Sequence, residues 1–301
     1  MNLLEESENI ILFNVEKNGE SLEEFLCNHE ISGRLFRKIY RRKNIFVNGR
    51  FKKKREILGG GDIVSIVMED ETESTIPEAI PLDIIYEDMD LLILNKQPFI
   101  VVHPTKSHQK GTLSNGISYY FQGKGIKKKI RFVNRLDMDT SGILIIAKSP
   151  FAHQQMALQF ENNLVEKRYL ALVAGVVEKD EDIIDLPIGR EEEKSIRKIV
   201  TEEGKEAVTK YKVVERYKNA TLLDVQIFTG RSHQIRVHLS HIGYPIIGDT
   251  LYYKTSEYIN RQALHSYYLK AKLPRSKAEI EFKADLPQDI NNLINILKED
   301  N

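Results

Sequence analysis

Two stretches of this chain gather the side-chain types that chemistry needs. The first is Val133 to Ser149, VNRLDMDTSGILIIAKS, where an arginine, two aspartates and a Thr-Ser-Gly turn stand directly before an apolar, strand-like run. A carboxylate held at a strand entrance can act as a nucleophile or as a general base, and Arg135 places a cation in the same stretch. The same letters also permit a structural reading. Asp139 and Thr140 can shape an Asx-type turn, and Arg135 with Asp137 can form an ion pair.

The second stretch is Thr229 to Asp249, TGRSHQIRVHLSHIGYPIIGD. Thr229 and Gly230 can start a helix whose first turn carries Arg231, and a helix amino terminus beside an arginine suits an anion. His233, His238 and His241 raise the question of metal, but their spacing puts at most two on one helical face and no third ligand is indicated, so no metal is expected. His29, His103, His108, His153 and His265 read as ordinary polar or core residues. A Walker loop, a Rossmann GxGxxG and a GxSxG elbow are all missing, so no nucleotide cofactor is implied. Asp137-x-Asp139-Thr140 also matches the nucleophile motif of haloacid-dehalogenase-like phosphatases. That motif should follow a hydrophobic strand, whereas here the apolar run comes after the acids.

The elements that must position these residues fall into two groups. The chain has 301 residues, 41% of them hydrophobic and 29% charged, which fits about two folded domains of a soluble protein. No stretch approaches the ~20 apolar residues that span a bilayer, and the acidic start MNLLEESENI is unlike a signal peptide. A single cysteine, Cys27, suits a reducing cytoplasm, and a cytoplasmic location is expected.

The net charge of zero hides a local block. From Arg34 to Arg55 there are eleven basic residues and no acidic one, including Arg34, Arg37, Lys38, Arg41, Arg42, Lys43, Arg50 and Lys52. Such a block seeks a polyanion and would release counterions from nucleic-acid phosphates. Ser21 with Glu24 predicts a capping box for a short helix, and Leu35, Phe36, Ile39 and Tyr40 give a second helix an apolar face opposite its cations. Asn48-Gly49 marks a hairpin-type turn, and Gly59-Gly60-Gly61-Asp62 introduces the strand IVSIVM. Residues 1–70, with a core at about 17–68, therefore form a small basic unit. Residues 71–81, acidic and marked by Pro77 and Pro81, read as a solvated linker. Residues 82–301 form the larger domain, in which DIIYED, LLILNK, IVVHP, GILIIAK, RYLALVAG, VTKYKVVERY and TLLDVQIF read as strands. Helices are predicted at about 113–121, 151–162 and 231–241, which makes an α+β fold with a large mixed, mainly antiparallel sheet.

From about Leu82 to Pro287 the chain resembles the RluA/RluD family of pseudouridine synthases, and the upstream unit resembles the alpha-L RNA-binding module. The resemblance rests on IIYEDMDLLILNKQPFIVVHP, NRLDMDTSGILIIAKS, VEKRYLALVAG, TGRSHQIRVHLSHIGYPIIGD and LHSYYLKAKLP, in that order. Asn134 stands where members usually have His, and Gln97 interrupts a usual Lys-Pro. The resemblance implies isomerisation of uridine within structured RNA, most directly large-subunit ribosomal RNA, without cofactor or metal. It makes Asp137 the nucleophile, Arg231 its ion-pair partner, and Tyr169 the ring that packs on uracil and assists loss of the carbon-5 proton. Ile235 then offers an apolar surface to the other face of the base, and Arg135 fills space or touches phosphate near the extruded nucleotide. The alternative of another class is a catalytically silent RNA-binding or ribosome-assembly protein.

Overall fold

The computed structural model describes residues 2–104, 109–193 and 195–300. The first elements are β1 (Ile10–Asn14), α1 (Leu22–Asn28), α2 (Gly33–Arg41), β2 (Ile45–Val47), β3 (Arg50–Phe51) and β4 (Ile63–Val67). The four strands make one antiparallel sheet in the order β1-β4-β2-β3. Ser21 and Glu24 do form the reciprocal capping box on α1. Between β2 and β3, Asn48 and Gly49 both take positive φ, 49° and 77°, as a two-residue hairpin turn with the right twist demands. Strand β1 lies outside the 17–68 core expected from sequence, yet it pairs with β4 along its whole length.

The rest of the chain runs β5 (Ile84–Glu87), β6 (Leu91–Lys96), α3 (Leu113–Lys124), β7 (Arg131–Phe132), β8 (Ser141–Ala147), α4 (Pro150–Glu161), β9 (Glu166–Ala174), β10 (Glu181–Asp185), β11 (Ile188–Arg190), β12 (Lys198–Val200), β13 (Val208–Tyr217), β14 (Ala220–Ile227), α5 (Gln234–His241), β15 (Leu264–Lys272), β16 (Glu279–Lys283) and α6 (Gln288–Glu299). A ten-stranded sheet runs β10-β13-β14-β9-β15-β8-β6-β5, with β16 added beside β15 and β7 beside β8. Its pairs are antiparallel except β15 with β8. The α+β class and the mainly antiparallel sheet are as the sequence pattern implies.

Two segments differ from expectation. IVVHP is not a strand, because the carbonyls of Val101 and Val102 accept from Leu113 and Ser114 at the start of α3 instead of joining a ladder. Residues 71–81 join the two sheets but are not freely solvated. Glu73 accepts from the Ile130 amide, the carbonyls of Thr75 and Ile76 accept from Ser118 and Asn115, and Ile80 packs against Gly116 of α3. The acidic side chains that read as solvation are partly spent on pinning a strap to the helix.

The small sheet is docked, not tethered. Phe151 of α4 completes the core of the small unit. Arg275 donates to the carbonyls of Ser7 and Ile10 while pairing with Asp90 at 2.8 Å.

Candidate active site

Asp137 sits in the loop that enters β8, and this loop is held from below by buried cations. The Thr140 amide donates to the Asp137 carbonyl at 3.1 Å, closing a turn. Lys96, fully buried, donates to the carbonyls of Met138 and Gln97 at 2.8 Å each. Arg261, 2% exposed, donates to the Asp139 carbonyl at 3.0 Å and is gripped by the Asp289 carboxylate of α6 at 2.6 and 2.9 Å. Gln262 donates to Thr140 at 3.1 Å. Gly142 explains the glycine of the Thr-Ser-Gly sequence: at φ 115° a Cβ would collide with the Ser266 carbonyl oxygen of parallel strand β15. Ser141 and Gly142 are thus strand residues pressed against a neighbour, not a turn.

A cleft of about 720 Å³ opens above this loop. Asp137, Arg135, Tyr169, Arg231 and Ile235 all line it, so the sequence-selected residues do converge. The pairing among them is different from the one expected. Arg236, one residue beyond Ile235, places Nη1 2.9 Å from Asp137 Oδ2. Its Nε and Nη2 each lie 2.7 Å from the two oxygens of Asp249, which is wholly buried. Arg231 is exposed and donates through Nε to the Glu206 carbonyl at 2.8 Å. The reason is local. The helix begins at Gln234, not at Arg231, because His233 caps it in the left-handed conformation, φ 58°. Thr229 and the Arg231 amide are tied to the Gln234 side chain instead. Arg231 therefore belongs to the lead-in at the mouth, and the inward helical face presents Ile235 and Arg236.

Electrostatics follow from this burial. Desolvation opposes the Arg236 charge, but hydrogen bonds and attraction from Asp249 and Asp137 outweigh it and hold its pKa above the ordinary arginine value. Burial pushes the Tyr169 phenol up to about 12, with Asp137 adding to the rise, so its hydroxyl keeps its proton at neutral pH. Burial likewise lowers Lys96 to about 7, opposed first by the Asp139 charge. Burial raises Asp139 itself, and its Oδ1 has no hydrogen-bond partner among the described residues.

Asp139 does not line the cleft, which leaves Asp137 as the carboxylate available to a substrate. The histidines do not converge either. His233 Nδ1 contacts the Tyr252 hydroxyl at 2.9 Å, while His238 is held by Thr209 and the Leu186 carbonyl. Among the described residues no three His, Cys, Asp or Glu side chains could hold a metal together. His103, read from sequence as ordinary, lines the cleft with its ring against Phe132, and His108 lies outside the described residues. Asn134 serves as a strand surrogate: its side chain donates to the Ile143 carbonyl and accepts from the Ile145 amide.

Sequence reasoning missed Arg236, Asp249, Lys96 and Arg261. No short pattern pointed to the first, because adjacent helix positions do not share a face and the apolar neighbours Ile235 and Val237 do not by themselves bury Arg236.

On the small unit, Arg42 pairs with Glu69 and Lys52 approaches Asp62 at 3.6 Å. Arg34, Arg37, Lys38, Arg41, Lys43 and Arg50 make no ion pair among the described residues.

An α+β scaffold thus sets an aspartate–arginine pair in a cleft, with a tyrosine and an isoleucine beside it. Residues 90–241 match the family described as RNA pseudouridylate synthase. The chain is 40% identical over 250 residues to the uncharacterized RNA pseudouridine synthase YjbO of Bacillus subtilis, covering 82% of this chain and 88% of that one. It is 34% identical over 275 residues to ribosomal large subunit pseudouridine synthase D of Escherichia coli, covering 86% and 84%. Among solved structures, human RNA pseudouridylate synthase domain containing 4 superposes with a TM-score of 0.60 at 25% identity, over 72% of this chain and 93% of that one. The chain belongs to the RNA pseudouridylate synthase family and is an RNA pseudouridine synthase, an isomerase. No helix among the described residues is long and apolar enough to cross a membrane.

Proposed function

We propose that this enzyme isomerises uridines in structured ribosomal RNA of the large subunit, with Asp137 as the nucleophile and without cofactor. The observation that carries the reading is the Asp137–Arg236 contact in a cleft lined by Tyr169 and Ile235. The adjacent buried guanidinium holds the Asp137 carboxylate in place within the cleft. Asp137 adds to the ribose anomeric carbon or to the uracil ring, the bond between N1 and the sugar breaks, and the base turns. Carbon 5 then bonds to the sugar, the bond to Asp137 breaks and frees the carboxylate, the carbon-5 proton leaves as the ring regains aromaticity, and N1 takes up a proton.

Tyr169 packs its ring on the base and is the group assigned to assist that proton's departure, its hydroxyl accepting it only as it passes its own proton on to solvent; Ile235 covers the opposite face. Arg135 and Arg231, both exposed in the cleft, suit the phosphates around the extruded nucleotide. Extrusion costs a few kcal/mol, and RNA contacts by the basic face of residues 1–70 offset it. Phe151 and Arg275 dock that unit on the domain that carries Asp137. The large-subunit target is supported by the relatives named for that subunit.

The test offers unmodified large-subunit ribosomal RNA and transfer RNA transcripts to the purified enzyme and maps pseudouridine by carbodiimide labelling and primer extension. New stops in the ribosomal transcript alone support the reading; stops confined to transfer RNA overturn the target.

A further inference from the structure

Phe99 is an aromatic residue where the backbone is built for glycine. Pro98 and Phe99 form the turn that follows β6, and Phe99 has φ 62°. That sign is what the third position of a type II turn takes, where Gly or Asn is the usual occupant because a Cβ is strained there. The other non-glycine residues with positive φ among the described residues are Glu30, Lys43, Asn48, Asn163, His233 and Lys277, all polar or charged. The Phe99 ring gains nothing from the core in return, being 57% exposed. A strained backbone combined with an exposed ring points to work done outside the fold.

Its position says where. Val101, Val102 and His103, two to four residues on, line the catalytic cleft. On the other side, Lys96 bridges the Gln97 carbonyl to the Met138 carbonyl, fastening the start of this turn to the nucleophile loop. Met138 lines the cleft and is itself 47% exposed. Arg135 and Arg231 line the cleft and are exposed, and Arg135 makes no ion pair among the described residues. The turn therefore adds apolar, flat surface beside a cationic mouth, a combination that fits a nucleobase on a phosphate backbone.

We propose that Phe99 stacks on an unpaired base of the RNA substrate next to the extruded uridine. This rests on the functional reading above. When a uridine leaves the stack its neighbour loses one covered face, and a ring fixed at the rim restores that cover. The strained turn keeps the ring outside the fold, where a glycine would relax the backbone but offer no surface.

The chain contains no tryptophan, so Phe99→Trp supplies a single fluorescent reporter that keeps a ring at the site. Three variants, Phe99→Gly, Phe99→Leu and Phe99→Trp, are compared with wild type on a uridine-containing stem-loop RNA that the wild type modifies. The expected result is that Phe99→Gly unfolds at the same or a higher temperature yet binds the stem-loop roughly tenfold more weakly, the loss appearing in KM more than in kcat. Phe99→Leu shares the weakened binding, because bulk without a ring does not stack. Phe99→Trp keeps wild-type affinity, and its emission is quenched as RNA binds.

Wild-type affinity in Phe99→Gly, or unaltered tryptophan emission from the Phe99→Trp variant at saturating RNA, would overturn the proposal. Absence of turnover by the wild type on every RNA would instead overturn the functional reading beneath it.

Discussion

Arg236 joins two carboxylates: one edge of its guanidinium is locked on buried Asp249 at 2.7 Å twice, and the remaining nitrogen reaches Asp137 at 2.9 Å. Asp249 also accepts from the amides of Leu251 and Tyr252, so the arginine is fixed before any substrate arrives. Preorganised charge of this kind costs no reorganisation at the moment of reaction.

Arg236 and Arg231 should therefore separate cleanly. Arg236→Lys keeps a charge but cannot grip Asp249 with two nitrogens, and turnover should fall by at least a hundredfold, on the order of 3 kcal/mol. Arg236→Ala should in addition destabilise the fold by about 3–5 kcal/mol, since Asp249 is left buried and unpaired. Arg231→Ala should mainly raise KM. Single-turnover kinetics with urea unfolding of each variant make the check, and equal losses in kcat for Arg231→Ala and Arg236→Lys would contradict the assignment.

Tyr169→Phe retains the ring and deletes the hydroxyl. Binding of RNA should be unchanged, whereas release of the carbon-5 proton should slow by roughly a hundredfold if the hydroxyl assists it. Release of tritium from carbon-5-labelled RNA measures this, and unchanged release would confine Tyr169 to packing.

His265 provides a pH prediction. Burial lowers its pKa from 6.5 to about 4, and it sits neutral between Ser141 and the Ala284 carbonyl beside the loop that carries Asp137. The unfolded chain binds the proton more readily, so this group's contribution is complete above pH 6.5 and is lost as pH falls toward 4. The loss amounts to on the order of 3 kcal/mol. Urea unfolding from pH 7 to pH 4 should therefore show a flatter decline in His265→Gln than in wild type.

The basic face can be sorted by its pairing. Arg37 and Arg41 make no ion pair among the described residues, whereas Arg42 is paired with Glu69. Replacing Arg37 and Arg41 together by Ala should weaken RNA binding and lower the slope of log affinity against log salt by about 1.4–1.8, while Arg42→Ala should change the slope less. An unchanged slope in the double variant would remove this face from the RNA footprint.

Much of the scaffold was legible because it is local. The Ser21–Glu24 box, the Asn48-Gly49 turn and the apolar run of β8 depend on residues a few positions apart, and periodicity reports such relations. Strand β1 was not legible, since its partner β4 lies far along the chain, Ile10 facing Val67. Motif resemblance placed Asp137 and Tyr169 in one cleft, as the structure has them, but the partner of Asp137 was misjudged. Only Arg231 was named from the motif; Arg236 was passed over because the inward face depends on where the helix begins, which the left-handed His233 decides and which no short pattern reports. The linker was misread for a related reason: composition shows that Glu73 and Glu78 are polar, not that Ile130 and Gly111 have amides waiting for them.

The most direct test concerns Asp137. Ribosomal RNA labelled with tritium at carbon 5 of uracil is incubated with wild type and with Asp137→Asn, and RNA affinity is measured in parallel. Wild type should release tritium to water, while the variant should release none and bind RNA nearly as tightly. Release by Asp137→Asn at a rate near wild type would contradict its role as nucleophile, and release by neither protein despite tight binding of RNA would contradict the assigned substrate.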